Sequence, residues 1–240
     1  MARKIRWGIL STAVIGTEKV IPGIQRSKRG TVDAIASRDL ERGRRAAGEL
    51  GIAKAYGSYE ELLADPAIDA IYNPLPNNLH VRWTIAAVEA GKHVLCEKPI
   101  GMDAQDAERL RAVAGRGHIM EAFMVRFHPQ WLRARELIRA GAIGELRAVE
   151  VFFSYDNRDP DNIRNKPETG GGALLDIGCY GIVSGRFSFE AEPQRVVSLI
   201  ERDPAFGVDR LSSVIADFGG GRRLTFTVST QIAGHQRVLL

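Results

Sequence analysis

The chain lacks long apolar runs and has very little cysteine. None of its apolar runs reaches the about 20 residues needed to cross a bilayer, and the start MARKIRWGIL has neither a signal-peptide core nor a cleavage site. The two cysteines, Cys96 and Cys179, lie inside apolar stretches, which favours buried, reduced thiols. No Cys/His cluster has metal-ligand spacing. These shortages predict a soluble, cytoplasmic protein without a membrane span, a disulfide framework or a metal.

The excess of positive charge is small and has no aromatic residues interleaved with it. The net charge is +4, and the segments RSKRG and RDLERGRR hold much of the basic excess. A nucleic-acid groove needs basic residues interleaved with aromatics, so we expect solvated helix faces and no nucleic-acid partner. An anionic cofactor stays open for Arg38 and its neighbours.

What the first half does have is a regular alternation of apolar runs with helical stretches. The apolar runs cover residues 5–10, 31–37, 54–56, 68–72 and 93–96. Such alternation predicts an α/β fold with a doubly wound parallel sheet, whose ligands bind beyond the carboxyl ends of the strands.

Beyond about residue 123 the pattern changes to strands with few helices between them. An amphipathic helix, HPQWLRARELIRAGAIG, is followed by strand-like segments at 145–155, 194–201, 211–218, 222–230 and the terminal QRVLL. One glycine-led segment, TGGGALLDIGCYGIVSG, reads as helical from about Ala173. Strands joined without helices predict an α+β domain with a mostly antiparallel open sheet.

The turn after the first apolar run is GILSTAVIG, from Gly8 to Gly16. At G-x-G-x-x-G spacing its key positions hold Ser11, Ala13 and Gly16, small residues that let backbone amides approach a pyrophosphate at a helix N-terminus. Two of the three glycines of that pattern are replaced, so an ordinary tight turn stays the alternative. The candidate cofactor-binding residues here are Gly8, Ser11, Thr12, Ala13, Val14 and Ile15.

The end of the second apolar run indicates which dinucleotide is bound. An acidic residue there would bind the ribose 2′-hydroxyl and favour NAD, whereas the segment IASRD places Ser37 and Arg38 at that point. A hydroxyl and a bidentate guanidinium suit a 2′-phosphate, so we favour NADP over NAD. Asp39 is the rival, and it fits equally well as the N-cap of the next helix.

An acid, a base and a proline end the fifth apolar run, HVLCEKPI. Charged residues and proline commonly end strands, so the triplet alone says little. In a doubly wound sheet, however, Glu97 and Lys98 would lie in the ligand crevice. A second group, DIGCY, places Asp176 and Tyr180 four positions apart, on one face of a helix.

Together these motifs resemble the Gfo/Idh/MocA family of dinucleotide-dependent oxidoreductases. The matching segments are GILSTAVIG, IASRD, AYGSYEELLADP, YNPLPNNLH, EAGKHVLCEKPI, EAFMVRFHP and GGGALLDIGCY. The resemblance is closest to the NADP-dependent branch with D-xylose 1-dehydrogenase, glucose–fructose oxidoreductase and dimeric dihydrodiol dehydrogenase. It implies a dinucleotide-binding Rossmann domain over residues 1–122 and a domain for substrate binding and oligomerisation over residues 123–240.

The resemblance also implies roles for the residues of the two motifs. Lys98 would sit beside the nicotinamide and the reacting oxygen, followed by a proline that is usually cis, and Glu97 would belong to the cofactor pocket. We hypothesise that Tyr180 takes the hydroxyl proton while Asp176 orients that hydroxyl, because an ammonium near a phenol lowers the tyrosine pKa. Whether Lys98 or Tyr180 is the base stays open, and so does an ordinary core role for Tyr180.

The implied function is an NADP-dependent oxidoreductase that moves hydride between the nicotinamide and a hydroxyl-bearing carbon of a sugar or cyclic polyol. The alternative is a non-catalytic NAD(P)-binding regulatory protein, or an inactive fragment of the same family. Relative to the family pattern the chain ends early, so we expect Leu240 to leave the second sheet incomplete, with an unpaired edge. The open face of that sheet is often the dimer interface in the family, which suggests a homodimer.

The remaining candidates lie outside the EKP and DIGCY motifs. The segment YNPLPNNLH offers cofactor-lining residues at Pro74, Leu75, Asn77 and His80. The candidates for substrate contact are Arg126, Asn157 and Arg164. Ordinary alternatives stay open for these: a helix-capping or surface role for His80, a structural pair with Glu121 for Arg126, and a solvated loop for the other two.

Overall fold

The computed structural model describes residues 3–240. The chain divides into two units at the boundary between Ala122 and Phe123. The first is called the N-terminal unit and the second the C-terminal unit.

A six-stranded parallel sheet forms the centre of the N-terminal unit. Its strands are β1 (Ile5–Leu10), β2 (Gly30–Ala36), β3 (Lys54–Tyr56), β4 (Ala70–Asn73), β5 (His93–Cys96) and β6 (Ile119–Glu121). The strand order is β3-β2-β1-β4-β5-β6, and every neighbouring pair is parallel. The predicted doubly wound parallel sheet is therefore confirmed, with its topological switch between β1 and β4.

Helices connect these strands, and three of the helices are capped at their starts by side chains. They are α1 (Ile21–Arg26), α2 (Leu40–Leu50), α3 (Tyr59–Ala64), α4 (His80–Glu89) and α5 (Ala104–Glu108). A π-helical turn, Gly16–Val20, leads into α1, and α5 continues as a 3₁₀ segment, Arg109–Val113. Asp39, Ser58 and Asp103 each accept a backbone N–H bond in the first turn of their helices.

The core of the N-terminal unit lies on both faces of the sheet. Ile9, Leu10, Ile35 and Ile71 are fully buried. Strands covered by helices on both faces are apolar along most of their length, which is why these segments stand out as apolar runs in the sequence.

The C-terminal unit is a mixed five-stranded sheet with two main helices. Its elements are α6 (Pro129–Arg139), β7 (Ala148–Asp156), α7 (Cys179–Phe189), β8 (Arg195–Arg202), β9 (Asp209–Asp217), β10 (Arg223–Ser229) and β11 (Gln231–Leu239). The order is β11-β7-β10-β9-β8, with β7 and β10 parallel and the other pairs antiparallel. The predicted mostly antiparallel second sheet is confirmed, with one parallel pair added.

The two faces of this second sheet differ. Helix α7 covers one face so closely that a Cβ at Gly181 would lie 2.7 Å from the Phe226 ring, and a Cβ at Gly185 would lie 2.9 Å from Leu224. The opposite face carries a shallow groove of about 900 Å³. Val197 and Leu199 line this groove and are 70% and 79% exposed. Within residues 3–240, no helix is long and apolar enough to cross a membrane.

Candidate active site

The carboxyl edge of the parallel sheet gathers most of the predicted cofactor residues. Leu10 lies opposite Ala36 in the register of β1 and β2, and Asn73 lies opposite Cys96 in that of β4 and β5. Parallel strands end at the same edge, so the segments that follow them are neighbours. These segments hold Ser11 to Ile15, Ser37 and Arg38, Pro74 to Asn77, and Glu97 with Lys98.

Ser11 makes the turn that ends β1. Its φ of 72° lies in the left-handed region, where glycine is favoured, and its N–H donates to the Ala36 carbonyl at 2.9 Å. Its hydroxyl accepts the Ala13 N–H at 3.3 Å. The loop thus keeps the conformation of a glycine turn although serine replaces the glycine, and it delivers the chain to a helix N-terminus suited to an anion.

The two glycines that flank this loop serve packing. Gly8 lies inside β1, and a Cβ there would come within 2.8 Å of Leu62 Cδ2, so the residue allows α3 to pack on the strand. Its predicted cofactor contact stays a prediction. A Cβ at Gly16 would lie 3.5 Å from Tyr72 and 3.7 Å from Pro74, which places the start of the helical segment against the end of β4.

Arg38 is exposed at the end of β2, one residue after the buried Ser37. Within residues 3–240, no carboxylate forms an ion pair with Arg38. The pKa of the Tyr59 hydroxyl is raised by burial, and the nearby Arg38 guanidinium partly offsets that rise. Asp39 accepts the Arg42 N–H at 3.1 Å and so acts as the helix cap, which was its alternative role. This arrangement leaves a guanidinium rather than a carboxylate available at the strand end.

The ring of His80 is buried and is engaged by the backbone. The side chain is 1% exposed, and its two ring nitrogens lie 2.7 Å from the carbonyl oxygens of Leu75 and Pro99. Burial lowers the pKa of His80 despite these contacts. Leu75, another predicted lining residue, is buried in the core beside it. We therefore interpret His80 as a brace between the turn after β4 and the tip of β5.

Glu97 and Lys98 stand half-buried at the tip of β5. Glu97 Oε1 accepts a 2.6 Å hydrogen bond from the Tyr72 hydroxyl. The peptide bond between Lys98 and Pro99 is cis, as the family resemblance implies. Glu121 Oε1 accepts the Ile100 N–H at 2.9 Å, so the segment after the proline is tied to β6.

Asp176 lies in the C-terminal unit on a π-helical turn, Leu174–Gly178, that runs directly into α7. Its Oδ2 accepts a 2.5 Å hydrogen bond from the Tyr155 hydroxyl and a 3.0 Å bond from Arg164 Nε. Arg164, predicted to contact substrate, is thus paired with Asp176. π-helical turns inside helices are frequent at functional sites.

Tyr180 follows on the first turn of α7, half-buried between two phenylalanines. Its ring centroid lies 5.3 Å from that of Phe123 and 5.6 Å from that of Phe153. The Tyr180 carbonyl accepts the Ser184 hydroxyl at 2.6 Å. The two phenylalanine rings pack against the Tyr180 ring and so restrict its orientation.

The two other predicted substrate residues are Arg126, which lies shortly before α6, and Asn157, which follows β7 directly. Arg126 is exposed and lines a groove of about 320 Å³ with Arg135 and Phe187. Asn157 Oδ1 accepts the Asp159 N–H at 3.1 Å, so its side chain shapes its own loop. Neither contact supports the predicted substrate roles.

Three further residues, which no motif in the sequence marks, support predicted site residues within their own units. Tyr72 supports Glu97 and Tyr155 supports Asp176, while the fully buried Asn73 donates from Nδ2 to the His80 carbonyl at 3.1 Å. Both tyrosines sit in apolar strands and read there as core residues. A polar side chain at the last position of a buried strand was the available signal for Asn73.

Two family models match the chain in succession. Residues 5–125 match the oxidoreductase family with an NAD-binding Rossmann fold, and residues 131–240 match the Gfo/Idh/MocA C-terminal domain. An oxidoreductase of Rhizobium meliloti named ORF334 is 51% identical over 232 residues, which cover 95% of this chain and 69% of that protein. The D-xylose 1-dehydrogenase (NADP(+)) 2 of Haloferax volcanii is 43% identical over 237 residues, 97% of this chain and 72% of its own length.

A solved structure agrees with these sequence relatives. The crystal structure of KijD10, a 3-ketoreductase from Actinomadura kijaniata in complex with NADP and TDP-benzene, superposes with a TM-score of 0.93 at 33% sequence identity. The match covers 98% of this chain and 73% of that one. The chain therefore spans 69 to 73% of the length of these three relatives.

Proposed function

The chain belongs to the Gfo/Idh/MocA oxidoreductase family, and from that premise we propose that it transfers hydride between NADP and a hydroxyl-bearing carbon of a sugar or cyclic polyol. The observation that carries this proposal is the tip of β5, where Glu97 is held by Tyr72 and Lys98 follows it directly. The Haloferax relative named as an NADP-dependent xylose dehydrogenase supports the substrate class.

The N-terminal unit fits a dinucleotide with a 2′-phosphate. The left-handed turn at Ser11 leads to a helix N-terminus, where backbone N–H groups bind a pyrophosphate. Arg38 presents a guanidinium at the end of β2, while Asp39 is occupied as a helix cap. A guanidinium binds a phosphate bidentately and would gain little from a free ribose hydroxyl, which favours NADP.

We assign the chemistry to three side chains. When bound, NADP supplies the acceptor or donor of hydride. Lys98 carries a positive charge that stabilises negative charge developing on the substrate oxygen, as a preorganised cation does in a site that excludes water. Tyr180 exchanges a proton with that oxygen, and Asp176 accepts a hydrogen bond from a substrate hydroxyl and so fixes its orientation.

We further propose that the chain associates as a homodimer through the exposed face of the second sheet. Val197 and Leu199 project from β8, and the neighbouring Ile215 of β9 is 53% exposed. A contiguous apolar patch of this kind on a sheet is a typical protein interface.

Titration with NADPH and separately with NADH tests the cofactor, with energy transfer from tryptophan to the nicotinamide as the signal. We expect tight binding that is selective for NADPH, followed by turnover of NADP with a sugar or polyol in a panel that includes D-xylose. Binding without turnover of any polyol would favour the non-catalytic regulatory alternative. If neither NADPH nor NADH binds, the proposal is overturned.

A further inference from the structure

We propose that Tyr155 is a positioning residue, which together with Arg164 binds Oδ2 of the Asp176 carboxylate and thereby sets its orientation toward substrate. The inference rests on the proposed function of Asp176 and adds residues that the motif alone does not contain. Its starting point is the convergence of two donors, the Tyr155 hydroxyl and Arg164 Nε, on Oδ2 of Asp176.

The two donors come from separate elements. Tyr155 is the next-to-last residue of β7, and Arg164 lies on a short 3₁₀ turn, Ile163–Asn165, in the loop that follows. Asp176 itself is on the π-helical turn before α7. A carboxylate bound by one donor can still rotate about its Cβ–Cγ bond, whereas two donors from different directions on one oxygen fix the plane of the group.

Tyr155 is suited to this role because it stays protonated. Its pKa is raised well above the ordinary value by burial and by the negative charge of Asp176, and the Arg164 guanidinium offsets only part of that rise. The hydroxyl is therefore a permanent donor over the working range of pH. It differs in this from an acid–base group, which must gain and lose its proton.

The glycine run before Asp176 holds Arg164 in place. The Arg164 carbonyl accepts the Gly172 N–H at 2.8 Å, and a Cβ at Gly171 would lie 2.5 Å from that carbonyl oxygen. Gly172 has a φ of 110°, and a Cβ there would meet Asp209 Oδ1 at 2.1 Å. Only glycines let the loop approach this closely, so the GGG segment belongs to the support of Asp176 as well as to the turn.

The test removes one hydroxyl from each of two matched tyrosine–aspartate pairs. Tyr155→Phe deletes the bond to Asp176, and Tyr56→Phe deletes the equivalent 2.8 Å bond to Asp65 in the N-terminal unit. In Tyr155→Phe we expect kcat/KM for the polyol to fall about 10- to 100-fold with NADPH affinity unchanged. The acid limb of its pH profile should move to higher pH, because an ionised carboxylate that loses a donor is protonated more easily. Tyr56→Phe should keep the wild-type kinetics.

A second readout does not depend on turnover. In protein labelled with ¹³C at the aspartate carboxyls, the Asp176 resonance is identified by its loss in Asp176→Asn. Its titration midpoint should rise by about one pH unit in Tyr155→Phe, the equivalent of one hydrogen bond to a charged group. An unchanged midpoint would overturn the positioning role whatever the activity. A shifted midpoint in a protein that turns over no polyol would instead remove the proposed function and leave the contact standing.

Discussion

The hydroxyl of Tyr72, fully buried at the end of β4, donates a 2.6 Å hydrogen bond to the Glu97 carboxylate at the tip of the neighbouring β5. Burial and the nearby Glu97 charge raise the pKa of Tyr72 well above its ordinary value, so this donor is permanent. Glu97 is therefore held from the adjacent strand rather than by its own. The residue that follows it, Lys98, starts from a fixed backbone position.

The first prediction concerns Lys98. Lys98→Met removes the ammonium but keeps a side chain of similar length, so hydride transfer should fall about 10³-fold or more, while NADPH binding stays nearly intact. Stopped-flow absorbance of the nicotinamide measures the transfer, and tryptophan energy transfer measures the binding. Lys28→Met, at an exposed lysine of the same unit, is the control. Wild-type rates in Lys98→Met would contradict the assignment.

A second prediction separates the two dinucleotides. Arg38→Ala should raise the Kd for NADPH about 10- to 100-fold, because it removes a charged hydrogen-bond partner of the 2′-phosphate. The Kd for NADH should stay nearly unchanged. Parallel titrations of the two cofactors give the comparison, with the exposed Arg42→Ala as the control variant. Equal weakening of both cofactors would make Arg38 a structural residue.

The third prediction concerns association. Leu199→Asp places a charge in the exposed groove of the second sheet and should convert a dimer to a monomer at the same protein concentration. Sedimentation velocity measures the change. Ile143→Asp alters an exposed apolar residue in the turn after α6 and should leave association as it is. If wild type and Leu199→Asp sediment alike, the groove is not the interface.

The fourth prediction is a dependence of stability on pH. The Lys54 ammonium, followed by the Ala67 N–H, lowers the pKa of Asp65 from 3.8 to about 2. A carboxyl whose folded pKa is depressed stabilises the fold above its unfolded pKa, and this contribution disappears as pH falls through the folded value. The unfolding free energy of wild type should therefore exceed that of Asp65→Asn by a constant amount at pH 5 to 7. This difference should decrease between about pH 4 and pH 2.

Urea titrations at several pH values measure that difference. Glu60→Gln, at an exposed position of α3, the helix that Asp65 directly follows, should show no comparable change over the same range. A difference that stays constant down to pH 2 would mean that the Lys54–Asp65 contact does not contribute through ionisation.

Features that depend on residues close together in the sequence could be predicted from it. Apolar runs predicted the strands because a strand covered on both faces is mostly apolar, and Ser58 predicted the start of α3 because a cap acts within one turn. Local spacing also placed Arg38 at the end of β2.

Sequence reasoning failed where a side chain finds its partner across the fold. Tyr155 meets Asp176 at a separation of 21 residues, and Tyr72 meets Glu97 at 25. Such pairs depend on strand register and loop course, which no short motif encodes. The same limit applies to His80, whose ring nitrogen reaches the Pro99 carbonyl at a separation of 19 residues, just beyond the end of β5.

Each unit contains one cysteine, whose reaction rate with a thiol reagent reports the local opening of that unit. Cys96 is fully buried at the end of β5, and burial raises the pKa of its thiol to about 12, so a thiol reagent at neutral pH modifies it only during openings of that strand. Cys179 begins α7 in the other unit and is half-buried. Mass spectrometry can follow the alkylation of the two cysteines separately. The rate at Cys96 would therefore report openings of the strand end next to Lys98, and the rate at Cys179 would report openings of the helix that contains Tyr180.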